Sequence, residues 1–389
     1  MYNKKLLYIA NIRIPTEKAH GDQIIKMCQT FTQLNYQVEL ILPNRKNPIN
    51  IDPVIFYQIK NFFVLKKIKS FDPVFLLKFP NGWYIKLQAI FFMFSLFFFL
   101  CFKKNKDQYI FYTRDEYLLP ILSILSKKIV WESHALPVKQ NFYKKYFKSI
   151  YKIVVLTRYI KEELIRLGVK ENKILTSPSA VDLEIFSINI SQENARKELN
   201  LPQDKIILGY TGNFKTKSMD KGLTDILQAL KILITKNKNI LFVAVGGSQI
   251  DIDFYQSMAK QNLLDKYVIF LPKIEQKKLA IYQKAFDILL MPFPKEKHYS
   301  YFMSPLKMFE YMAAHKPIIT SDLPAVRDIL SDEECVFVRS NDALDLAAKI
   351  NQLLNDESLC QKIADNAFNK VHNYTWLKRA EKIINFIAS

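Results

Sequence analysis

Short apolar runs alternate with amphipathic stretches along the whole chain. The run at 240–245 is apolar throughout, which is typical of a strand covered on both faces, whereas the spacing of apolar residues at 23–34 and 158–167 predicts helices. We predict strands at 6–12, 38–43, 54–58, 109–112, 129–132, 153–156 and 174–177, and then at 206–211, 241–245, 268–271, 288–291, 317–320 and 336–338. Strands that alternate with helices in this way form parallel sheets with right-handed crossovers.

The length of the chain predicts two domains. Its 389 residues exceed what a single hydrophobic core usually supports. Between 181 and 193 no apolar period appears, so we predict an α/β protein with two Rossmann-like, doubly wound parallel-sheet domains at 1–185 and 186–375. The remaining residues, 376–389, are predicted to form a terminal helix.

The net charge of +19 at pH 7 is distributed unevenly. Residues 1–190 hold 29 Lys and Arg against 14 Asp and Glu, whereas residues 191–389 hold 27 against 23. An excess of this size on one domain suggests an anionic partner surface, either lipid head groups or nucleic acid. A lysine-rich composition set by the genome is the alternative, but it does not by itself explain the asymmetry.

One segment, 89–102, breaks the α/β pattern because it is apolar with a single serine and no charge. As a helix its 14 residues span about 21 Å, short of the roughly 30 Å hydrocarbon core, so a transmembrane span is disfavoured. Three lysines at 103, 104 and 106 and a basic, aromatic stretch at 143–148 favour a helix pressed into an anionic membrane surface. A central helix packed in the core is the alternative.

The compartment follows from the chain start and the cysteines. The apolar run after Lys4 and Lys5 is too brief for a signal peptide. The four cysteines lie in apolar stretches without C-x-x-C spacing, which suits a reducing compartment. We therefore expect a cytoplasmic protein without disulfides or zinc, peripheral at the inner face of the plasma membrane.

The most informative stretch for chemistry is 304–322. Ser304 is a good N-cap and Pro305 suits the first helical position, so a helix is predicted to begin there with its unpaired amides facing a ligand. Glu310 lies about two turns further on. A carboxylate there can accept hydrogen bonds from both ribose hydroxyls of a nucleotide whose phosphates lie at the helix start.

A second candidate for phosphate binding is 209–222, where a strand, a glycine turn at Gly212, several lysines and a helix start follow one another. Backbone amides would hold phosphate oxygens while a lysine neutralises charge. The stretch is not a Walker A loop, because the required spacing is absent. An ordinary solvated loop is the alternative.

The first half offers two weaker candidates. Gly21 precedes a predicted helix, where backbone amides can approach a phosphate, although a tight turn would explain it equally. His134 follows a predicted strand, at the sheet edge where open α/β folds bind ligands. It could contact a sugar or take part in proton movement, or be structural.

These segments follow the order found in glycosyltransferase family 4, a retaining family with the two-domain GT-B fold, and the chain resembles that family over nearly its whole length. The resemblance rests on 20–23 with 38–40, the strand end at 132–134, and the stretches 155–157, 212–222, 286–292 and 304–322. It implies an N-terminal acceptor-binding domain and a C-terminal nucleotide-sugar-binding domain facing a cleft. It also implies that the terminal helix crosses back to the first domain.

The resemblance assigns roles around the helix predicted at Ser304. Glu310 matches the second glutamate of the family's E-x7-E motif and would bind ribose. The first glutamate falls on Phe302, so a usual contact to the donor sugar is missing. Ser304, Leu306 and Lys307 would line the diphosphate through helix-start amides and side-chain charge.

Other positions are assigned in the same way. Lys221 matches the phosphate-binding lysine near Gly212, while Asn213 stands where an arginine is common, so charge neutralisation leans on Lys221 and Lys307. The remaining assignments are Lys273 and Ile274 to the region that frames the base, Gly21 to the donor-phosphate loop, and His134 to the reacting sugar.

The implied reaction is transfer with retention from a UDP- or GDP-sugar, with His134, Lys221 and Glu310 as catalytic residues and no cofactor. The implied acceptor is a glycan or lipid-linked, and the pathway is polysaccharide biosynthesis of the lipopolysaccharide or capsule type. The D-x-D triplet at 251–253 lies near a predicted helix start, where capping carboxylates are common, so we expect no metal.

Two other functions remain open. A nucleotide-sugar 2-epimerase of the same fold would use the donor without an acceptor. A non-enzymatic nucleic-acid-binding protein would use the basic first half and would not need Glu310. We expect no nucleic-acid partner, because no known motif of that kind occurs in the sequence.

Overall fold

The chain folds into two compact units. The computed structural model describes residues 4–72, 83–216 and 219–389. Unit 1 consists of Met1–Ser177 together with Trp376–Ser389, and unit 2 consists of Pro178–Thr375.

The first unit ends at Ser177 rather than at residue 185 as predicted. Contacts far apart in sequence hold the next residues in unit 2. The N–H of Val181 donates to the carbonyl of Tyr374 at 2.9 Å. Ser179 donates two hydrogen bonds to Ser304, from its N–H to the hydroxyl at 2.8 Å and from its own hydroxyl to the carbonyl at 2.7 Å. A local sequence pattern does not reveal such long-range contacts.

Unit 1 contains a seven-stranded parallel sheet with strand order β3-β2-β1-β4-β5-β6-β7. Its strands are β1 (Lys4–Ile9), β2 (Tyr36–Asn44), β3 (Val64–Lys69), β4 (Tyr109–Thr113), β5 (Ile129–Ser133), β6 (Lys152–Val155) and β7 (Ile174–Thr176). Its helices are α1 (Ala19–Gln33), α2 (Pro53–Phe56), α3 (Trp83–Cys101), α4 (Leu119–Leu125), α5 (Gln140–Ser149) and α6 (Arg158–Arg166), with α16 (Trp376–Ala388) from the end of the chain.

The strand predicted at 54–58 is wrong, because Pro53–Phe56 forms the short helix α2. The carboxylate of Asp52 accepts a hydrogen bond from the N–H of Val54 at 2.7 Å, and Pro53 occupies the first helical position. An aspartate N-cap followed by proline starts a helix even where the next residues favour a strand. The edge strand is Val64–Lys69 instead.

Helix α3 is longer than the predicted apolar segment. It has 19 residues, about 28 Å at 1.5 Å per residue. This length is close to the roughly 30 Å hydrocarbon core, so length does not disfavour a membrane span. Among the described residues, its stretch Tyr84–Cys101 alone is long and apolar enough to cross a membrane, with mean hydropathy 1.9 and 17% of it buried. Core helices of globular proteins also meet these two criteria.

Unit 2 contains a six-stranded parallel sheet with strand order β12-β11-β8-β13-β14-β15 and a small antiparallel pair. Its strands are β8 (Ile206–Thr211), β9 (Lys215–Thr216), β10 (Met219–Asp220), β11 (Ile240–Gly247), β12 (Val268–Pro272), β13 (Ile288–Met291), β14 (Ile318–Ser321) and β15 (Val336–Val338). Its helices are α7 (Leu183–Phe186), α8 (Gln192–Glu198), α9 (Leu223–Lys236), α10 (Gln249–Gln261), α11 (Gln276–Ala285), α12 (Leu306–Ala314), α13 (Pro324–Arg327), α14 (Ala343–Leu354) and α15 (Glu357–Val371).

The sheet of unit 2 is buried on both faces, as its apolar strands predict. Leu241, Val243 and Val245 of β11 belong to one core cluster, whereas Phe242 and Ala244 belong to the cluster on the opposite face. Successive residues of a strand point to opposite faces, so helices must cover both.

The two sheets share the strand order of the Rossmann fold. When the strands of each sheet are numbered in chain order, both sheets have the order 3-2-1-4-5-6, with a seventh strand added in unit 1. The prediction of two Rossmann-like parallel-sheet domains is confirmed. In such folds ligands bind where the strand order reverses, which is beside β1 in unit 1 and beside β8 in unit 2.

Candidate functional site

The loops that follow β8 and β13 meet helix α12 at the carboxyl end of the unit 2 sheet, where the strand order reverses. Two glycines allow the strand ends to approach closely. A Cβ on Gly246, whose φ is +121°, would lie 2.7 Å from the carbonyl oxygen of Gly212. A Cβ on Gly212 would lie 3.3 Å from Cε of Lys307. The turn at Gly212 therefore packs directly on the stem of Lys307.

Lys307 is a buried cation without a hydrogen-bond partner among the described residues. Its Nζ lies 3.5 Å from the centroid of the Tyr210 ring. Burial lowers the pKa of Lys307 well below its ordinary value, and the charge of Lys221 lowers it further, while Glu310 opposes the shift. An unpaired buried ammonium costs stability, so an anionic ligand that contacts it would recover that cost.

Lys221 is held beside this site by a capped turn. The carboxylate of Asp220 accepts hydrogen bonds from the N–H groups of Leu223 and Thr224 at 2.8 and 3.2 Å, and from the Tyr255 hydroxyl at 2.9 Å. Burial lowers the pKa of Lys221 to about 8. Residues 217 and 218 of the predicted phosphate loop lie outside the described residues.

Gly222 is required by the same turn. Its φ of +93° is in the left-handed region, and a Cβ there would lie 1.7 Å from the carbonyl oxygen of Pro292, which follows β13. Any other residue would push the two loops apart.

Glu310 lies one helical turn after Lys307 on α12, so the two side chains share a face of the helix. The side-chain amide of Gln283, on α11, donates to Glu310 at 3.5 Å and to the Thr211 hydroxyl at 3.0 Å. Gln283 is fully buried. It was not found from the sequence, because a glutamine in the middle of a helix has no distinguishing pattern.

The start of α12 differs from the prediction by one residue. The N-cap is Pro305, and Ser304 does not cap the helix, because its hydroxyl accepts the N–H of Ser179 instead. Leu306 is therefore the first helical residue. The first amides of an α-helix have no partner within the helix, so they can still bind an anion.

The other predicted positions of unit 2 lie on separate loops. Asn213 follows the Gly212 turn, and its carbonyl accepts the Tyr210 hydroxyl at 2.9 Å. Lys273 and Ile274 follow β12, which β11 and β8 separate from β13. Lys273 is exposed and Ile274 packs against the core. Phe302, where the family's first glutamate would be, ends a π-helical turn, His298–Phe302.

The aspartates of the D-x-D triplet serve the start of α10. Asp251 accepts a hydrogen bond from the Ser248 hydroxyl at 2.6 Å and lies 3.9 Å from Nζ of Lys215. Asp253 accepts from Gln249 at 2.8 Å. The described residues contain no group of three His, Cys, Asp or Glu that could hold a metal ion.

In unit 1, Gly21 lies inside α1 and not ahead of it, because the helix begins at Ala19. A Cβ on Gly21 would lie 2.3 Å from Cγ2 of Thr16, in the loop that precedes the helix. The Tyr57 hydroxyl holds that loop by accepting the N–H of Thr16 at 2.8 Å and donating to its carbonyl at 3.0 Å. The close packing of this loop on α1 therefore explains why a glycine stands at position 21.

Glu132, at the end of β5, is the centre of a buried charge cluster in unit 1. Its Oε1 lies 2.7 Å from Arg114, 3.0 Å from Arg379 and 2.6 Å from Nε2 of His134. The Tyr112 hydroxyl donates to its other oxygen. Because Arg379 is on α16, this cluster fixes the last helix of the chain to the β5 strand end. Neither arginine could be found from the sequence, since neither lies in a recognisable motif.

The cluster sets the protonation state of His134. Burial would raise the pKa of Glu132, but the charges of Arg114 and Arg379 hold it well below its usual range. Burial and the charge of Arg114 lower the pKa of His134 to about 4. A neutral imidazole that donates from Nε2 to the carboxylate keeps Nδ1 as an acceptor. The side chain is 31% exposed, so a ligand could reach it.

The predicted residues thus form two groups. In unit 2, Gly212, Lys221, Lys307 and Glu310 are brought together at the switch point, with the start of α12. In unit 1, His134 follows β5, which β4 separates from β1 and the switch point, and Gly21 packs against the loop after β1. The group in unit 2 is suited to bind a ligand that carries an anionic group and, next to it, several hydroxyl groups.

The family comparison agrees with this arrangement. The model of "Glycosyl transferases group 1" matches residues 191–370, which make up most of unit 2. The matched segment covers 180 of the 389 residues and contains Gly212, Lys221, Lys307 and Glu310.

Two curated relatives have polysaccharide or lipid-linked glycan names. The capsular polysaccharide biosynthesis glycosyltransferase CapM of Staphylococcus aureus is 24% identical over 229 residues, 57% of each chain. The N,N'-diacetylbacillosaminyl-diphospho-undecaprenol alpha-1,3-N-acetylgalactosaminyltransferase of Campylobacter jejuni is 26% identical over 243 residues, 61% of this chain and 60% of the relative. The chain thus spans little more than half the length of these relatives.

Solved structures share the fold over the whole chain. A glycosyltransferase from Rickettsia africae has a TM-score of 0.74 at 17% identity, covering 99% of this chain and 98% of its own. HepE from Anabaena, solved with UDP and glucose, has a TM-score of 0.71 at 12% identity, covering 99% and 100%. At such identities the likeness concerns the fold alone.

Replacing Arg379 with methionine should destabilise unit 1 by about 3 kcal/mol, because it removes one cation from a buried carboxylate. Urea denaturation followed by tryptophan fluorescence measures this, since the tryptophans at 83, 131 and 376 all belong to unit 1. Arg166→Met is the matched control: its ion pair with Glu163 is exposed and should contribute less than about 1 kcal/mol. An equal loss of unfolding free energy in the two variants would show that the buried cluster contributes no more to stability than the exposed ion pair.

Replacing Lys307 with methionine should stabilise the ligand-free protein at pH 7 by about 1 kcal/mol. A lysine whose pKa is lowered on folding penalises the folded state at low pH, and the penalty fades as the pH rises toward 10.5, where the unfolded chain also loses its proton. The advantage of the variant should therefore shrink at high pH. Calorimetric unfolding measures it, with Lys297→Met at an exposed position as control. A less stable variant would contradict the reading of Lys307 as a strained cation.

Proposed function

We propose that the protein is a retaining glycosyltransferase that moves a sugar from a nucleotide-sugar donor to a glycan or lipid-linked acceptor. The observation that carries the proposal is the grouping at the switch point of unit 2. Lys221 and Lys307 supply charge for a diphosphate, and the first amides of α12 supply donors for its oxygens. Glu310, one turn further along α12 than Lys307, is suited to accept hydrogen bonds from ribose hydroxyls.

The proposed reaction follows the family mechanism. The acceptor hydroxyl oxygen forms a bond to the anomeric carbon on the face that the diphosphate leaves, and the bond from that carbon to the phosphate oxygen breaks. The hydroxyl proton passes to the departing phosphate oxygen. Lys221 and Lys307 stabilise the charge that develops there, so we propose neither a metal nor another cofactor.

His134 has a separate part in the proposal. The family resemblance assigns it to the reacting sugar, and its neutral state makes Nδ1 an acceptor for a sugar hydroxyl rather than an acid at pH 7. Lys273 and Ile274 are assigned to the base. The assignment of Gly21 to the donor-phosphate loop rests on the family resemblance alone, because packing against Thr16 already explains a glycine at this position.

The acceptor and location are proposed from the relatives and the sequence. A capsular and an undecaprenol-linked relative support an acceptor in surface-polysaccharide assembly. We place the protein in the cytoplasm, peripheral at the inner face of the plasma membrane. The donor is a UDP- or GDP-sugar, and the UDP complex of a structural neighbour makes UDP-sugars the first to test. A thermal-shift screen identifies the donor, because a ligand of the folded state raises the melting temperature.

The two other functions are weaker. The family match and the relatives are named as glycosyltransferases, which does not favour a 2-epimerase. A 2-epimerase would convert the donor when no acceptor is present. A nucleic-acid-binding protein would have no use for a carboxylate beside the two lysines of unit 2.

Glu310→Gln should reduce kcat/KM for the nucleotide-sugar about 100-fold, because charged hydrogen bonds to two hydroxyls are lost. The assay follows release of nucleoside diphosphate with an acceptor present. NMR of the product should show the anomeric configuration of the donor.

Glu193→Gln is the control for this variant. Glu193 is an exposed glutamate of unit 2 that pairs with Lys197, so its loss should leave activity within twofold. If Glu310→Gln kept its fold and full activity, the proposed ribose site would be wrong.

Nucleoside diphosphate binding should weaken about tenfold between pH 7 and pH 9, because Lys221, with its pKa of about 8, loses its charge over this interval. A bound diphosphate favours the protonated lysine, so binding at pH 8 should take up protons. Calorimetric titration with UDP in two buffers of different ionisation enthalpy measures that uptake.

Lys221→Met should bind UDP more weakly and lose most of the proton uptake. Binding by the wild type without proton uptake at pH 8 would contradict the placement of the diphosphate beside Lys221. The Lys231→Met variant is the control, because Lys231 is an exposed lysine of α9, the helix that starts just after Lys221.

A further inference from the structure

Helix α3 has two apolar sides of different exposure. Phe92, Leu96 and Leu100 are fully buried in unit 1. Ile90, Phe94 and Phe98, which repeat every four residues along another face, are 44%, 61% and 59% exposed. The helix is thus fixed to its own domain by one side while the other presents large apolar side chains.

Helices α3, α4 and α5 lie on the same face of the unit 1 sheet. The strand order runs from β3 across to β4, β5 and β6, and right-handed crossovers place the three connecting helices on one side. Contacts of α3 with α4 and of α4 with α5 agree with this, whereas α16 packs against α1. The layer formed by α3, α4 and α5 is therefore continuous.

Exposed apolar side chains occur on all three helices of this layer. Ile124 of α4 is 76% exposed and Phe142 of α5 is 54% exposed. Phe102, just after α3, is 84% exposed. We call Ile90, Phe94, Phe98, Phe102, Ile124 and Phe142 the apolar face. Several large apolar side chains exposed on neighbouring helices are typical of an interaction site.

The stretch of sequence that carries the apolar face is rich in exposed lysine. From Trp83 to Ser149 the sequence has 11 Lys and Arg against four Asp and Glu. Arg114 and Lys103 are paired with Glu132 and Glu39. The exposed lysines of this stretch are Lys86, Lys104, Lys127, Lys128, Lys139, Lys144, Lys145 and Lys148.

The exposed apolar side chains and the lysines together indicate which kind of partner binds the apolar face. Cores of protein interfaces are depleted in lysine, and a second copy of the chain would bring the same positive charge against itself. An anionic lipid surface neutralises the lysines while the phenylalanine rings enter the boundary between head groups and acyl chains. A transmembrane α3 would have to leave the core that buries Phe92, Leu96 and Leu100.

We propose that unit 1 docks on an anionic membrane through the apolar face and its lysines, with α3 lying along the bilayer surface. The contact is peripheral, and it depends on both the lysines and the inserted phenylalanines. The proposal rests on the peripheral location proposed above and not on the nucleotide site of unit 2, so a failure of membrane binding would leave the proposed transfer reaction standing.

The test is flotation of the full chain with vesicles of phosphatidylcholine alone or mixed with phosphatidylglycerol. The protein should float with the anionic vesicles only and be released by high salt. Phe94→Glu with Phe98→Glu should reduce the partition coefficient at least tenfold, while UDP binding stays unchanged. Ile250→Glu with Leu344→Glu is the matched control, because these exposed apolar residues of unit 2 are 82% and 71% accessible.

Several results would overturn the proposal. The first is equal binding by the Phe94 and Phe98 variant and the wild type, and the second is no preference for anionic vesicles. A third is resistance to alkaline carbonate extraction, which indicates a spanning helix. Light scattering that showed a dimer abolished by the same variant would make a second copy the occupant instead.

Discussion

The site in unit 2 depends on one unfavourable interaction, the burial of the Lys307 ammonium without a hydrogen-bond partner among the described residues. Its contact with the Tyr210 ring at 3.5 Å offsets part of the desolvation cost, since a cation over an aromatic face gains up to about 2 kcal/mol when desolvated. The rest of the desolvation cost remains, because the surrounding backbone keeps the Lys307 side chain in this buried position. Gly212 packs on the lysine stem, and α12 carries Lys307 on a buried side. A strained group of this kind is expected where a ligand completes the site.

Unit 1 uses buried charge in the opposite way. Glu132 is fully buried, but two guanidinium groups, an imidazole and a hydroxyl satisfy its carboxylate. The main effect of this pairing is on conformational specificity, because it fixes both the position of α16 and the tautomer of His134. One cluster therefore links the end of the chain to the residue that ends β5. The Glu132 carboxylate is satisfied within the protein, whereas the Lys307 ammonium is left for a ligand.

Much of the fold could be predicted from sequence because both sheets are parallel and covered on both faces. The strands of unit 2 read as apolar runs, and β8, β13 and β15 have the predicted bounds. Errors arose where a local signal was overridden. Asp52 and Pro53 turned an apparent strand into a helix, and Ser304 lost its capping role to a contact with Ser179. Gln283 and Arg379 could not be found, since each reaches its partner from a distant element.

Lysine occurs in two states in this chain, and composition alone does not distinguish them. The excess of positive charge in the first half includes exposed lysines on α3 to α5, which are solvated and cost the fold little. Lys221 and Lys307 contribute nothing unusual to the charge count, yet burial lowers the pKa of both. A solvated lysine attracts an anionic surface at long range and is screened by salt, whereas a buried lysine discriminates at contact distance and is screened much less. The same residue type can therefore serve a diffuse partner in one unit and a defined anion in the other, according to its burial and to the groups beside it.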